Sequence, residues 1–259
     1  MGVTTTRRSI VRRGERRGDD LAVEAPLVLA LDGEVLATLM RTPGHDLELA
    51  AGWLVVESGV ERADDVVQLR GCREEETDRV HATLRDGVRR PRPRAFVTSA
   101  ACGVCSADVL DLAPLRRAEP SRPGFTVAAE VLASLPDAMR AHQRAFARTG
   151  GVHAAALATA DGALLVTRED VGRHNAVDKV VGWALLDGRL PLTDHVLVVS
   201  GRVSFEIVQK AVACGVAGIV AVSAPSSLAV DLAREHGLLL AGMVRDGQLN
   251  LYAGLELVA

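Results

Sequence analysis

From His195 onward the chain alternates β-branched runs with amphipathic ones, and this alternation constrains the fold more than any other feature. His195 to Ser200 reads as a strand, and a Gly201-Arg202 turn separates it from a helix over Ser204 to Cys214. Ile219 to Ser223 reads as the next strand, Ser227 to Glu235 as the next helix, and Leu238 to Val244 as a third strand. Strands joined through helices by short loops lie parallel, and a parallel sheet needs helices to cover it. The expected fold class is therefore α/β with a largely parallel sheet. In the first of these helices Phe205, Val208 and Val212 are expected inward, with Glu206 and Lys210 facing outward as an i,i+4 pair.

Upstream the pattern is shorter and richer in strands. Leu27 to Leu31 and Glu34 to Leu39 flank Asp32-Gly33, a hairpin signal. Asp46 is placed to cap a helix through Leu47, Leu49, Ala50 and Trp53 that Gly59 would end. Val66 to Leu69 and Val80 to Leu84 read as further strands. Pro91 and Pro93, in an Arg-rich stretch, mark the best domain boundary. The expected organisation is thus a disordered leader over 1–20, a small α+β domain over 21–93, and an α/β domain over 94–259. In the last of these, Phe96 to Thr98 is a short strand candidate, and helices are expected over Val127 to Ser134 and Pro136 to Arg148. Val152 to Thr159 and Ala163 to Thr167 flank an Asp161-Gly162 turn. A helix then begins near Asn175, with Asn175 and Asp178 at N-cap and N3 spacing.

No apolar run in the 259 residues reaches the ~20 needed to cross a bilayer, so no membrane partner is expected. Six arginines lie between Arg7 and Arg17, but the apolar segment of an export signal does not follow them, and a cytoplasmic setting is expected. The rest of the chain is acidic and aromatics make up 3%, which argues against a nucleic-acid-binding surface or a base-stacking platform.

Of the cysteines Cys72, Cys102, Cys105 and Cys214, only Cys102-Gly103-Val104-Cys105 form a close pair. Such a pair can hold half a zinc site, exchange dithiol for disulfide, or present a thiolate that carries sulfur. A structural zinc site wants a second short-spaced pair, which this chain lacks. The small residues around the pair leave its sulfurs accessible, and backbone amides there would stabilise a thiolate or a persulfide.

The stretch from Glu169 to Lys179 is polar and leads into an apolar helix. It reads either as a capped helix with ion pairs, or as an anion cradle built from Arg173, His174 and the helix-start amides. His153 could satisfy a buried hydrogen bond or face the same cleft. Gly201-Arg202 follows a strand at the edge where α/β sheets bind ligands, though it matches neither a P-loop nor a dinucleotide fingerprint. Ser223 to Ser227 and Gly242 to Gln248 are further polar junctions at strand ends, and three in succession suggest one lined cleft.

Four segments occur in an order that resembles one family. They are Thr98-Ser99-Ala100-Ala101-Cys102-Gly103-Val104-Cys105, Thr149-Gly150-Gly151-Val152-His153-Ala154-Ala155, Glu169 to Lys179, and Ser200-Gly201-Arg202-Val203-Ser204-Phe205-Glu206. The chain resembles the formate dehydrogenase accessory sulfurtransferases, the FdhD-type proteins, from about Leu21 to Tyr252. The resemblance implies a cytoplasmic carrier that takes sulfane sulfur from a cysteine desulfurase as a persulfide. It would pass that sulfur to the molybdenum cofactor, bis-molybdopterin guanine dinucleotide, before the cofactor enters the catalytic subunit of formate dehydrogenase.

By the same likeness Cys102 matches the persulfide-bearing residue, with Cys105 as its partner. The cofactor contact falls on Met243, Val244, Arg245, Asp246, Gly247 and Gln248, with Arg202, Arg173 and His174 as further candidates. A guanine nucleotide should mimic the cofactor. The implied fold is a cytidine-deaminase-like three-layer domain with a mixed sheet, joined to a smaller N-terminal domain; the implied assembly is a homodimer, and no structural metal is expected. Two departures stand out: Ser106 replaces a usual glycine, and Gln248 stands where a basic residue is common. Two other readings compete. A zinc hydrolase of the deaminase kind needs a His-x-Glu before the cysteines, whereas His153-Ala154-Ala155 follows them. A non-catalytic module binding the molybdopterin cofactor is distinguished by whether a persulfide forms.

Overall fold

The structure is a computed structural model that describes residues 3–73, 77–91, 93, 97–98 and 124–259. Two sheets and the helices between them organise the chain. The N-terminal sheet contains β3 (Ala25–Leu31), β4 (Glu34–Arg41), β5 (Val66–Arg73), β6 (Asp78–Leu84) and β7 (Val97–Thr98), in the order β5-β6-β3-β4-β7. The larger sheet contains β8 (His153–Thr159), β9 (Leu164–Asp170), β10 (His195–Val199), β11 (Gly218–Ala221), β12 (Leu239–Arg245) and β13 (Gln248–Ala253), in the order β13-β12-β11-β10-β8-β9. As the alternation from His195 requires, β10, β11 and β12 are parallel. The outer strands β9 and β13 each run antiparallel to a neighbour, and β8 runs antiparallel to β10, so the sheet is mixed.

The large sheet is apolar on both faces, and the period of two assigns each residue to one side. Ala155, Leu157, Leu197, Val199, Ile219 and Leu240 face one core, while Ala154, Ala156, Val196, Val198, Val220 and Leu239 face another. The second core is closed by Leu132, Leu135 and Met139 of α2 (Ala129–Arg140). The first is shared with the N-terminal sheet. Between the sheets lie α1 (Asp46–Ser58), against β5 and β6, and α4 (Arg173–Leu186), against β8 and β9. These helices meet backbone to backbone: a Cβ on Gly52 would stand 1.9 Å from the Asp178 carbonyl oxygen, and one on Gly182 1.8 Å from that of Glu48. No side chain fits at either position. The remaining α-helices among the described residues are α3 (Arg144–Thr149), α5 (Phe205–Cys214) and α6 (Ser227–Glu235). No helix among the described residues is long and apolar enough to cross a membrane.

Several expectations need correction. The leader is not disordered: β1 (Thr5–Arg12) and β2 (Glu15–Ala22) pair as an antiparallel hairpin, with Arg7 and Arg8 opposite Asp20 and Asp19. Those opposite charges favour pairing where apolar alternation is missing. The boundary after 93 is crossed, because β7 adds Val97 and Thr98 to the N-terminal sheet beside Thr38 and Leu39. Pro136 does not divide two helices but lies inside α2, where burial of Leu132, Leu135 and Met139 on one side offsets the lost N–H bond. The helix break comes after Arg140 instead. The polar face expected on α5 is not outward: Lys210 is buried and reaches Asp178 of α4 at 2.6 Å.

Candidate functional site

Because β10, β11 and β12 are parallel, their carboxyl ends share one edge, and antiparallel β8 brings its amino end, His153, to the same place. A cleft of about 730 Å³ opens there, with Ser200, Val222 and the segment Val244 to Asp246 on its floor side. Its other wall comes from α2, α3 and the segment Gly150 to His153. The three strand ends do meet there, but the lining holds Ser200 rather than Gly201-Arg202 and Val222 rather than Ser223 to Ser227. Of the C-terminal candidates, Val244 is buried against the cleft and Arg245 and Asp246 line it, whereas Met243 is 42% exposed and Gly247 and Gln248 lie outside the lining. Asp246 and Gly247, at φ 52° and 75°, form the two-residue turn into β13 that positive φ at both positions favours.

The opposite wall carries residues that the sequence reading passed over. Arg140 stacks over the Phe146 ring at 4.0 Å, and both line the cleft. Beside them Gln143 is 4% exposed, and its Nε2 has no hydrogen-bond partner among the described residues. A buried amide donor left unmade costs about 1–3 kcal/mol, so its place in a cleft wall points to a ligand acceptor. The wall is held from β9, where the Glu169 carboxylate accepts the Ala145 and Phe146 N–H groups, each at 2.8 Å. No residue pattern marks Gln143; the nearest sequence pointer is the Gly150-Gly151-Val152-His153 segment that follows.

His153 sits where the cleft meets the start of α4. Burial, and then the positive charges of Arg173 and His174 with Arg202 behind them, push it below the ordinary imidazole range against the opposing pull of Asp170. A Cβ at Gly201 would come within 3.2 Å of its Nδ1, so glycine gives the imidazole its room. Arg173 Nε is buried and unpartnered among the described residues. His174 Nε2 stands 3.3 Å from Ser204 Oγ and 3.5 Å from Glu206 Oε2, and Ser204 donates to Glu206 at 2.6 Å. The His174 contact lowers the Glu206 pKa to about 2 against the effect of burial, with help from Ser204. Arg202, Arg173 and His174 therefore cluster around His153 rather than lining the cleft itself.

Much of the polar stretch from Glu169 to Lys179 is internal wiring. Asp170 accepts from the N–H groups of Thr42 and Gly172 and from the Asn175 amide, at 3.1, 2.8 and 3.0 Å. Lys179 Nζ meets Oδ2, the oxygen that also accepts from Thr42, at 2.7 Å. Asn175 is not a helix cap: α4 starts at Arg173 after Gly172, and Asn175 also donates to the Met40 carbonyl. The anion at this helix start is the chain's own Asp170 carboxylate, which leaves Arg173 and His174 as the part of the motif that bears on His153. At α6, Ser226 accepts the Ala229 N–H as an ordinary cap.

Cys102 and Cys105 lie outside the described residues. Cys72 is exposed on β5, and Cys214 is buried, its thiol pushed up to about 12 by burial. Among the described residues no cluster of three or more His, Cys, Asp or Glu could hold a metal ion.

The family model described as FdhD/NarQ matches residues 22–259. The chain is 49% identical to the sulfur carrier protein FdhD of Nocardia farcinica, over 98% of this chain and 94% of that protein. It is 47% identical to the protein of the same name from Streptomyces coelicolor, over 100% and 97%. A crystal structure from Desulfotalea psychrophila, provisionally assigned as a formate dehydrogenase accessory protein, superposes with a TM-score of 0.78 at 25% identity, covering 98% of both chains.

Proposed function

This chain belongs to the FdhD/NarQ family, and from that premise we propose that it carries sulfane sulfur on Cys102 and delivers it to the molybdenum cofactor of formate dehydrogenase held in the strand-end cleft. The observation that carries this reading is that a buried Gln143 Nε2, without a hydrogen-bond partner among the described residues, shares one cleft with Arg245. A guanine dinucleotide cofactor offers carbonyl acceptors to the amide and phosphates to the guanidinium. The cofactor is substrate here, and the residues fit it: Gly150 and Gly151 admit close backbone approach, while Arg173, His174 and Arg202 add positive charge around His153.

The sulfur side is supported by the direction of β7. It runs parallel to β4, with Thr98 beside Leu39. β4 leads on to Thr42, whose hydroxyl accepts the N–H of Val171 in the cleft lining. Cys102 follows Thr98 by four residues, a reach of at most about 14 Å. In this reading a cysteine desulfurase loads Cys102, Cys105 assists, and the catalytic subunit of formate dehydrogenase receives the sulfurated cofactor, all in the cytoplasm. We also read the larger α/β unit as cytidine-deaminase-like, its mixed sheet layered between helices, and the working assembly as a homodimer.

Intact-mass measurement after incubation with a desulfurase and cysteine tests the loading step. A gain of about 32 Da, removed by reductant, is expected in the wild type and absent in Cys102→Ala. An unchanged adduct in that variant overturns the assignment. Persistence of formate dehydrogenase activation without any adduct would favour the non-catalytic cofactor-binding reading.

A further inference from the structure

The β1–β2 ribbon belongs to neither large sheet, and the FdhD/NarQ match begins at residue 22, where the ribbon ends. Its two strands nonetheless pair along their whole length, from Thr5 with Ala22 to Arg12 with Glu15. Near the root, Arg7 and Arg8 stand opposite Asp20 and Asp19. Toward the tip Arg12 stands opposite Glu15, but Arg16 and Arg17 face Val11 and Ile10. Arg17 pairs with Glu15 at 2.7 Å, but the exposed Arg12, Arg13 and Arg16 have no carboxylate partner among the described residues. The first 22 residues carry six arginines against three carboxylates, while the whole chain is −3, which leaves the remainder at −6. A lone two-stranded ribbon is marginally stable in water, and uncompensated arginines crowded at its tip do not strengthen it.

The root is fixed at the rim of the cleft. Arg148 of α3 donates to Asp20 at 2.9 Å, and Val23 N–H donates to the Thr4 carbonyl at 2.9 Å. A Cβ on Gly151, which lines the cleft, would lie 3.6 Å from the Ala22 Cβ. The ribbon therefore springs from the mouth of the cleft and presents its charge beyond it.

We propose that the Arg12–Arg16 tip is a docking arm for an acidic protein surface, the carboxylate-bearing rim of the apo-formate dehydrogenase that takes the cofactor from this cleft. The partner's identity rests on the functional reading above; the chemistry of the arm does not. Guanidinium forks bind carboxylates in two-point fashion. The −6 body would repel an acidic partner, and a cationic arm at the cleft mouth offsets that repulsion where exchange takes place. Nucleic acid fits less well, because Glu15, Asp19 and Asp20 share the ribbon, the body repels phosphate, and the ribbon has no aromatic residue to stack on.

The test is direct association of the full chain with purified apo-formate dehydrogenase, followed by surface plasmon resonance across a salt series. The triple variant Arg12→Gln, Arg13→Gln, Arg16→Gln should associate about tenfold more slowly at low salt, and the difference should vanish at high salt. The triple lysine variant should keep most of the wild-type association rate. Guanosine diphosphate affinity should be unchanged in both, which controls for folding and for an intact cleft. Equal association by the wild type and the glutamine variant, or no association by the wild type, overturns the proposal. So does tighter binding of a 20-base-pair DNA duplex that the glutamine variant loses. Arm-dependent association without activation of the enzyme would support the arm while removing the functional reading, so the two fail separately.

Discussion

Lys179 and Asp170 meet at 2.7 Å with side chains 1% and 0% exposed. The pair joins the N-terminal sheet to the cleft, because Lys179 Nζ also donates to the Thr42 carbonyl at 2.9 Å and Asp170 accepts the Thr42 N–H. Removing one partner strands a charge out of water. Lys179→Met should therefore cost about 3–5 kcal/mol in urea unfolding. Arg17→Ala, which breaks a ribbon pair 60% and 68% exposed, should cost less than about 1 kcal/mol. Similar losses for both would mean that the buried pair is not structural.

At the helix crossing, Gly52→Ala and Gly182→Ala should each cost about 3 kcal/mol or more, since the added methyl meets backbone carbonyls that cannot turn aside. Gly71→Ala, whose Cβ would meet Leu47 at an ordinary 3.7 Å, should stay within about 1 kcal/mol of wild type. Thermal unfolding of the three variants side by side decides the matter.

Gln143→Leu separates binding from stability. With no partner for Nε2 among the described residues, the substitution should leave stability unchanged or raise it by about 1 kcal/mol. Calorimetric affinity for guanosine diphosphate should meanwhile fall about threefold to tenfold. An unchanged affinity would mean that the nucleotide does not reach this wall.

Glu206 sets a pH dependence. Its folded pKa, lowered to about 2, lies below the unfolded value near 4.5. The stability it contributes is full above about pH 4.5 and is lost as pH falls toward 2. Glu206→Gln should flatten the fall in unfolding free energy over that window and change little of its slope above pH 5. An identical acid limb in the variant would remove Glu206 from the account.

Two thiols should differ sharply in alkylation. With the Cys214 pKa at about 12, only about one molecule in ten thousand carries that thiolate at pH 8. Exposed Cys72 should be labelled by iodoacetamide within minutes, and Cys214 only after denaturation. Peptide mapping by mass spectrometry reads both, and labelling of native Cys214 would contradict its burial.

Local signals were legible where chemistry and geometry coincide over a few residues. The Asp32-Gly33 turn, with φ of 49° and 91°, lies where the dipeptide indicates, and α1 stops at Gly59, but Asp46 is its first residue rather than its cap: His45 precedes it and the Asp46 carboxylate is held by Arg41 at 2.9 Å. The alternation from His195 yields β10, α5, β11, α6 and β12 in order. Long-range partners were not legible. Lys210 looks solvent-facing on α5 because its partner, Asp178, lies 32 residues away. Asn175 resembles a cap because the bonds that bury it come from Met40 and Asp170. The hairpin over the leader was hidden because residues of opposite charge, rather than apolar ones, stand across its strands, and Gln143 because an amide at a helix break gives no pattern.

The crossing of α1 and α4 also governs the order in which this protein can be made. α1 is buried around most of its circumference, yet the helix against which it packs begins more than a hundred residues later in the chain. During synthesis α1 must wait with the side that carries Glu48 and Gly52 uncovered until Leu186 has emerged. Such late, non-local closure makes folding slow and leaves the nascent chain sticky, so this protein should depend on chaperone holding while it is being translated.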